Sequence, residues 1–214
     1  MKAIVLISDK GHPIYKRLVN WKDSIKDIHQ ISICNSVDEI NDNAHILFLV
    51  SCTEIVTKKI RSFFDYTLVL HASDLPEGRG WSPHIWKILE GKNKIVLSLL
   101  SAEDKVDTGD IWKKVDINLT GYELYDEINE KLFDAEIHLM NWSLDNIKTS
   151  SPTPQKKINT VHYRKRTPKD SKLDINKPVK DQFNLLRIGD PDRYPCYFEI
   201  DDHKYKIIIE KLNE

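Results

Sequence analysis

The chain has 214 residues, 40% hydrophobic and 30% charged, with 32 Lys and Arg against 33 Asp and Glu and a net charge of −1. That length and apolar share suit one compact domain with an appendage and exclude global disorder. The balanced charge argues against a dedicated nucleic-acid binder, which carries a basic excess.

Residues 2–8 form a continuous apolar run, the pattern of a strand buried on both faces of a parallel sheet. Ile31–Cys34 and Ala44–Val50 read as the next two strands, and 53–64 has helical character through Ile55, Ile60, Phe63 and Phe64. Tyr66–His71 is a fourth strand. Ser82-Pro83 then opens a helix to about Glu90, with Ser82 as its cap. Ile95–Leu100 and Asp110–Leu119 add strands, and Thr120–Ile147 reads as one long helix through Leu124, Ile128, Leu132, Leu139 and Trp142. The alternation predicts an α/β, Rossmann-like, mostly parallel sheet with helices on both faces. Tyr194–Phe198 and Lys204–Glu210 predict a small C-terminal β-containing appendage.

The composition changes near residue 150. Residues 1–150 hold 18 Lys and Arg against 23 Asp and Glu, whereas 151–214 hold 14 against 10 and six of the nine prolines. The expected organisation is a catalytic domain over 1–150, followed by a linker and small subdomain over 151–214 that completes a substrate site. The basic run Lys156–Lys172 reads either as a solvated connector or as a phosphate-facing segment.

Glycine is scarce. Only seven occur, roughly half of average usage, and five fall between 78 and 121, so no glycine-rich dinucleotide cradle follows the first strand. Cys34, Cys52 and Cys196 are widely spaced, which predicts neither disulfide scaffold nor metal site. No stretch reaches the ~18 apolar residues that span a bilayer, and the N-terminal run is too short for a secretion signal; a cytoplasmic protein without a membrane partner is expected.

Ligands of open α/β sheets sit outside the carboxyl ends of strands, which here are Ser8–Pro13, Val50–Thr53, His71–Gly80 and Ser101–Gly109. His71 and Asp107 are the titratable pair in that set. The words around them are His71-Ala72-Ser73-Asp74-Leu75-Pro76, Gly78-Arg79-Gly80-Trp81-Ser82-Pro83 and Asp107-Thr108-Gly109-Asp110, with His71 and Asp107 36 positions apart. They resemble the folate-dependent formyltransferases, a family with the methionyl-tRNA formyltransferase-like fold. The similarity touches residues 44–200 and is densest over 71–111, and Arg166–Asp174 and Leu186-Arg187 look like family motifs of the following segment. The resemblance is greatest to sugar N-formyltransferases acting on nucleotide-linked amino sugars, including a pseudaminic-acid-pathway subgroup. One position departs from the pattern: the family's Asn-x-His has Val69 two residues before His71, so either another polar group, such as Ser73 or Ser82, replaces that donor to the formyl oxygen or the strand aligns differently.

The resemblance implies transfer of a formyl group from N10-formyltetrahydrofolate, as co-substrate, to the amine of a UDP- or dTDP-4-amino-4,6-dideoxy sugar in bacterial surface-glycan biosynthesis. His71 and Asp107 would be catalytic: Asp107 orients the amine and takes its proton, and His71 stabilises the oxyanion. Leu75, Pro76, Glu103, Asp104, Lys105 and Val106 would bind the folate. Lys10, Arg79 and Arg166 are candidates for the substrate diphosphate, and Trp81 either stacks on a sugar or base or belongs to the core. Methionyl-tRNA is disfavoured because residues 151–214 offer no broad basic surface, so no nucleic-acid partner is expected. The apolar side of 120–147 and the tail strands are candidate surfaces for a homodimer. Competing readings are a formyltetrahydrofolate hydrolase and a catalytically silent folate or nucleotide-sugar binding module.

Overall fold

The computed structural model of the chain describes residues 1–41 and 43–212. Its centre is a six-stranded sheet built from β1 (Lys2–Leu6), β2 (Gln30–Cys34), β3 (Ala44–Leu49), β4 (Phe64–His71), β6 (Lys94–Ser101) and β7 (Ile111–Asn118), with β5 (Arg79–Gly80) lying outside it. The order across the sheet is β2-β1-β3-β4-β6-β7. The first three pairings are parallel and the last two antiparallel, so the expected mostly parallel Rossmann-like sheet carries an antiparallel edge.

Alternate side chains of β1 divide the core. Ala3, Val5 and Ile7 enter a large apolar cluster with Leu18, Trp21, Ile88, Leu132, Leu139 and Met140, which come from α1 (Tyr15–Ser24), α3 (Pro83–Leu89) and α4 (Tyr125–Asn146). Ile4 and Leu6 face the other way, into a smaller cluster with Leu47, Leu49, Val56 and Phe64. On that second face lie a 3-10 turn at Val37–Glu39 and the four-residue α2 (Lys58–Arg61), which contribute Val37 and Ile60 to the cluster. Each such aliphatic side chain contributes roughly 1.5–3 kcal/mol when fully buried, which is why β1 is apolar at every position after Lys2.

Two helices are shorter than their sequence patterns. The 53–64 pattern yields only α2, because β4 already begins at Phe64. The 120–147 pattern begins its helix at Tyr125: the Glu123 carboxylate accepts from the Thr120 and Gly121 amides at 2.9 and 3.1 Å, and this turn replaces the first helical one. Glu127 then accepts from the Leu124 amide at 2.7 Å, as a capping carboxylate does. Ser82 caps α3 from a left-handed backbone (φ 45°) and makes no side-chain cap bond, so Pro83 alone carries the start signal.

Beyond α4 the chain crosses back over the sheet. β8 (His162–Tyr163) pairs in parallel with β5, and Gly80 is obligatory there: a Cβ would stand 2.3 Å from the Tyr163 carbonyl oxygen. After α5 (Phe183–Arg187), the expected C-terminal β appendage is an antiparallel hairpin of β9 (Cys196–Ile200) and β10 (His203–Ile207), packed on Leu173 and Leu186. No helix among the described residues is long and apolar enough to cross a membrane.

Candidate active site

His71 ends β4, 8% exposed, and Asp107 lies in the 102–110 loop, 7% exposed. Their side chains meet, with His71 Nδ1 3.4 Å from Asp107 Oδ1. The route differs from the sequence expectation of two carboxyl strand ends on one edge. β6 is antiparallel to β4, with Leu68 opposite Ser101 and His71 opposite Ser98, so the carboxyl end of β6 points away from His71. The loop has to double back. It does so through Ala102 N–H to Thr67 O at 2.8 Å and Ser101 N–H to Asp110 O at 2.9 Å. Asp107 itself adopts a left-handed backbone (φ 59°), a conformation that Asp and Asn tolerate better than most residues.

The pair is held from the other side by β5 and the turn before it. The Gly80 amide donates to Asp107 Oδ2 at 2.9 Å, and His71 Nε2 lies 3.1 Å from the Gly78 carbonyl oxygen. A carbonyl only accepts, so Nε2 carries a hydrogen and Nδ1 is the nitrogen that faces the Asp107 carboxylate. Both ring nitrogens are thus engaged, and for His71 to donate to a formyl oxygen it must first leave Gly78.

Gly109 permits this loop. A Cβ there would lie 1.8 Å from the Ser101 carbonyl oxygen, which leaves no position for a side chain without moving the loop. We expect Gly109→Ala to cost about 1–3 kcal/mol as an overpacking change, read as a lower Tm. It should also displace Asp107 enough to remove whatever activity the pair supports.

Val69 stands two residues before His71 in unbroken β4 register, opposite Leu49 and Leu100, and packs in the smaller apolar cluster. The missing asparagine is therefore not restored by a strand shift. Ser73, 3% exposed, has a buried hydroxyl without a hydrogen-bond partner among the described residues.

The remaining predicted residues occupy distinct surroundings. Leu75 is fully buried and joined to half-buried Pro76 by a cis bond, and Lys114 Nζ holds the Leu75 carbonyl and the Asp74 carboxylate, both at 2.5 Å. Glu103, Asp104, Lys105 and Val106 are exposed along the loop; Asp104 pairs with Arg61 at 2.5 Å, and the Arg61 guanidinium holds its carboxyl below the ordinary range. Lys10 is exposed in the turn after β1, and Trp81 lies half-exposed under the Lys165 ammonium, 4.9 Å from the ring centre. Arg166 donates to Ser171 Oγ at 3.1 Å and packs over Tyr194, its Nε buried without a partner among the described residues. Arg79 reaches Gln155 rather than open space, at 3.0 Å.

Two residues had no signal in the sequence. His84, the second residue of α3, buries Nδ1 without a partner among the described residues; burial pushes its pKa down to about 3, and the nearby His71, His12 and Arg166 act in the same direction. Gln155, in an irregular segment 48 positions beyond Asp107, donates to the carbonyls of Asp107 and Gly109. No spacing rule connects a glutamine in a loop to a carboxylate that far upstream.

Cavity size does not locate this chemistry. A groove of about 660 Å³ between α1 and α4, lined by Lys16, Trp21, Tyr125 and Phe133, holds none of the residues above. A smaller one of about 330 Å³ lies at the foot of the 102–110 loop, between Arg61, Tyr66, Thr67, Ser101 and Trp112.

A mostly parallel α/β sheet with a His–Asp pair held by a returning loop and a Gly-Arg-Gly turn defines a class, and comparison with known proteins identifies it. Residues 32–143 match the family described as formyl transferase, and the chain belongs to that family. It is 27% identical over 175 residues to the methionyl-tRNA formyltransferase of Thermodesulfovibrio yellowstonii, covering 80% of this chain and 56% of that protein. The chain spans about half the length of the curated relatives it matches. Among solved structures, a methionyl-tRNA formyltransferase from Clostridium thermocellum superposes with a TM-score of 0.84 at 21% identity, covering 100% of this chain and 94% of that one. A sugar N-formyltransferase from a Shewanella species superposes with a TM-score of 0.74 at 14% identity, over 100% and 99% of the two chains. At these identities the superpositions establish the fold.

Proposed function

We propose that the chain transfers a formyl group from N10-formyltetrahydrofolate to the amine of a nucleotide-linked amino sugar, a UDP- or dTDP-4-amino-4,6-dideoxy sugar, in bacterial surface-glycan biosynthesis. The observation that carries the transferase reading is the buried His71–Asp107 contact inside a formyl transferase family match.

The neutral amine attacks the formyl carbon. The tetrahedral intermediate collapses by breaking the bond to N10 of the folate, leaving a formamide and tetrahydrofolate. Asp107 orients the amine and accepts the proton it sheds, N10 of the departing folate takes up one proton as its bond to the formyl carbon breaks, and His71 stabilises the oxyanion after turning from Gly78. Pro76 and the exposed 103–106 stretch are the folate-facing elements, with Leu75 supporting them from the core. The 151–214 part completes the acceptor site, with Arg166 and His84 on its approach to His71 and Lys10 and Trp81 as further contacts.

The sugar acceptor is supported by the charge distribution of this chain. Five of the 14 basic residues beyond residue 150 are engaged in internal ion pairs: Arg164 with Asp170, Lys172 and Lys204 with Glu199, Arg193 with Asp190, and Lys211 with Glu127. Cations so neutralised release few counterions from a long polyanion but leave room for one diphosphate. The names of the curated relatives favour a second reading, in which the acceptor is methionyl-tRNA.

A formylation assay separates these. The chain with N10-formyltetrahydrofolate is offered UDP- and dTDP-linked 4-amino sugars, methionyl-tRNA, and no amine, and the product is read by mass. A gain of one formyl group on a nucleotide sugar is expected. Formylated methionyl-tRNA would move the assignment to the second reading, and formate release without amine would make the chain a hydrolase.

A further inference from the structure

We propose that Gln155 is a positioning residue for formyl transfer, holding the loop that carries Asp107, and that Arg79 fixes Gln155 in turn. This rests on the transferase reading above.

Every polar atom of the Gln155 amide is engaged. Its Nε2 donates to the Asp107 carbonyl at 3.0 Å and the Gly109 carbonyl at 2.7 Å, and its Oε1 accepts from Arg79 Nη2 at 3.0 Å. The amide orientation is unambiguous, because carbonyls only accept and a guanidinium only donates. The two carbonyls flank Thr108, so one side chain spans the tightest part of the loop, between left-handed Asp107 and Gly109 pressed on Ser101.

The clamp closes on itself. Arg79 belongs to β5, and the next residue, Gly80, gives its amide to the Asp107 carboxylate. Asp107 is therefore gripped at its carboxylate by Gly80 and at its carbonyl by Gln155, with Arg79 joining the two grips. The segment carrying Gln155 is itself anchored: Thr153 exchanges two backbone bonds with Ile111, at 2.8 and 2.9 Å, just past the loop's end. On this reading the Arg79 cation serves the clamp and is not a phosphate ligand. A misplacement of a reacting group by about 1 Å can cost on the order of 10² in rate, so a loop that reverses direction to reach its histidine needs such a tie.

The test uses Gln155→Glu, which keeps the shape and the Arg79 partner but replaces both donated hydrogens with charge facing two carbonyls. Gln155→Met, of similar volume, serves if the charge unfolds the chain. Two readouts are taken on the intact chain: amide hydrogen exchange of the 102–110 peptide, and steady-state formyl transfer with its pH profile. We expect exchange in 102–110 to rise at least tenfold while the β1–β3 peptides are unchanged. We also expect kcat to fall about 10- to 100-fold with KM for the formyl donor within threefold, and the pH profile of kcat to move. Unchanged loop exchange overturns the clamp. Faster exchange with unaltered kcat and pH profile overturns the positioning role. A wild-type chain inert towards every acceptor overturns the transferase reading and the catalytic part of the proposal together, and the exchange result still reports separately on the clamp.

Discussion

Asp107→Asn should lower formyl transfer by about 10³-fold, the scale of a lost general acid–base group, while the chain stays folded. The substitution is a clean one for a structural reason. Asparagine tolerates the left-handed backbone that Asp107 adopts at φ 59°, and its amide oxygen can still accept the Gly80 amide bond. What it loses is the carboxylate charge opposite His71 Nδ1 and the capacity to take up the amine's proton. His71→Asn should produce a loss of similar size, because it removes the proton partner and leaves an amide beside the Gly78 carbonyl. Activity measured by product mass, with Tm read in parallel, decides the matter. Full activity in either variant at unchanged Tm would remove the pair from the mechanism.

The second large effect is on stability and lies away from the site. Glu136, on α4, is 6% exposed, and its Oε2 is buried without a partner among the described residues. Burial alone pushes its carboxyl from 4.5 up to about 8. Between those pH values the folded chain holds a proton that the unfolded chain has released, so stability falls as pH rises from about 4.5 to about 8. Glu136→Gln stays neutral at every pH and should escape this loss. At pH 7 the gain is about 3 kcal/mol, or roughly 5–10 °C in Tm, and it should vanish near pH 4.5. Thermal melts of both proteins across that range test it; a difference independent of pH would show that Glu136 is ionised in the folded state.

Much of the fold was legible because burial writes itself into local patterns. The runs 2–8 and 44–50 are apolar at nearly every position since both faces of β1 and β3 are covered. The hairpin of β9 and β10 and the start of α3 at Pro83 also follow from neighbouring residues. Helix limits were less legible, because the turn at 120–124 depends on a Glu123 carboxylate accepting amides rather than on periodicity.

By itself the sequence determined an α/β chain with a sparse, clustered glycine set and the words around His71 and Asp107 that mark the formyl transferase family. Residue type and local order suffice for that, since strand burial and family motifs are one-dimensional properties. Only the tertiary structure decided how Asp107 arrives. β6 runs antiparallel to β4, and so the loop must turn back, with Gly109 against Ser101 and Gln155 across its carbonyls. It also decided that Arg79 faces a glutamine 76 positions away and that His84 buries its Nδ1 within electrostatic reach of His71. Strand direction and contacts between distant segments are set by the packing of the whole sheet, and no local pattern of residues encodes them.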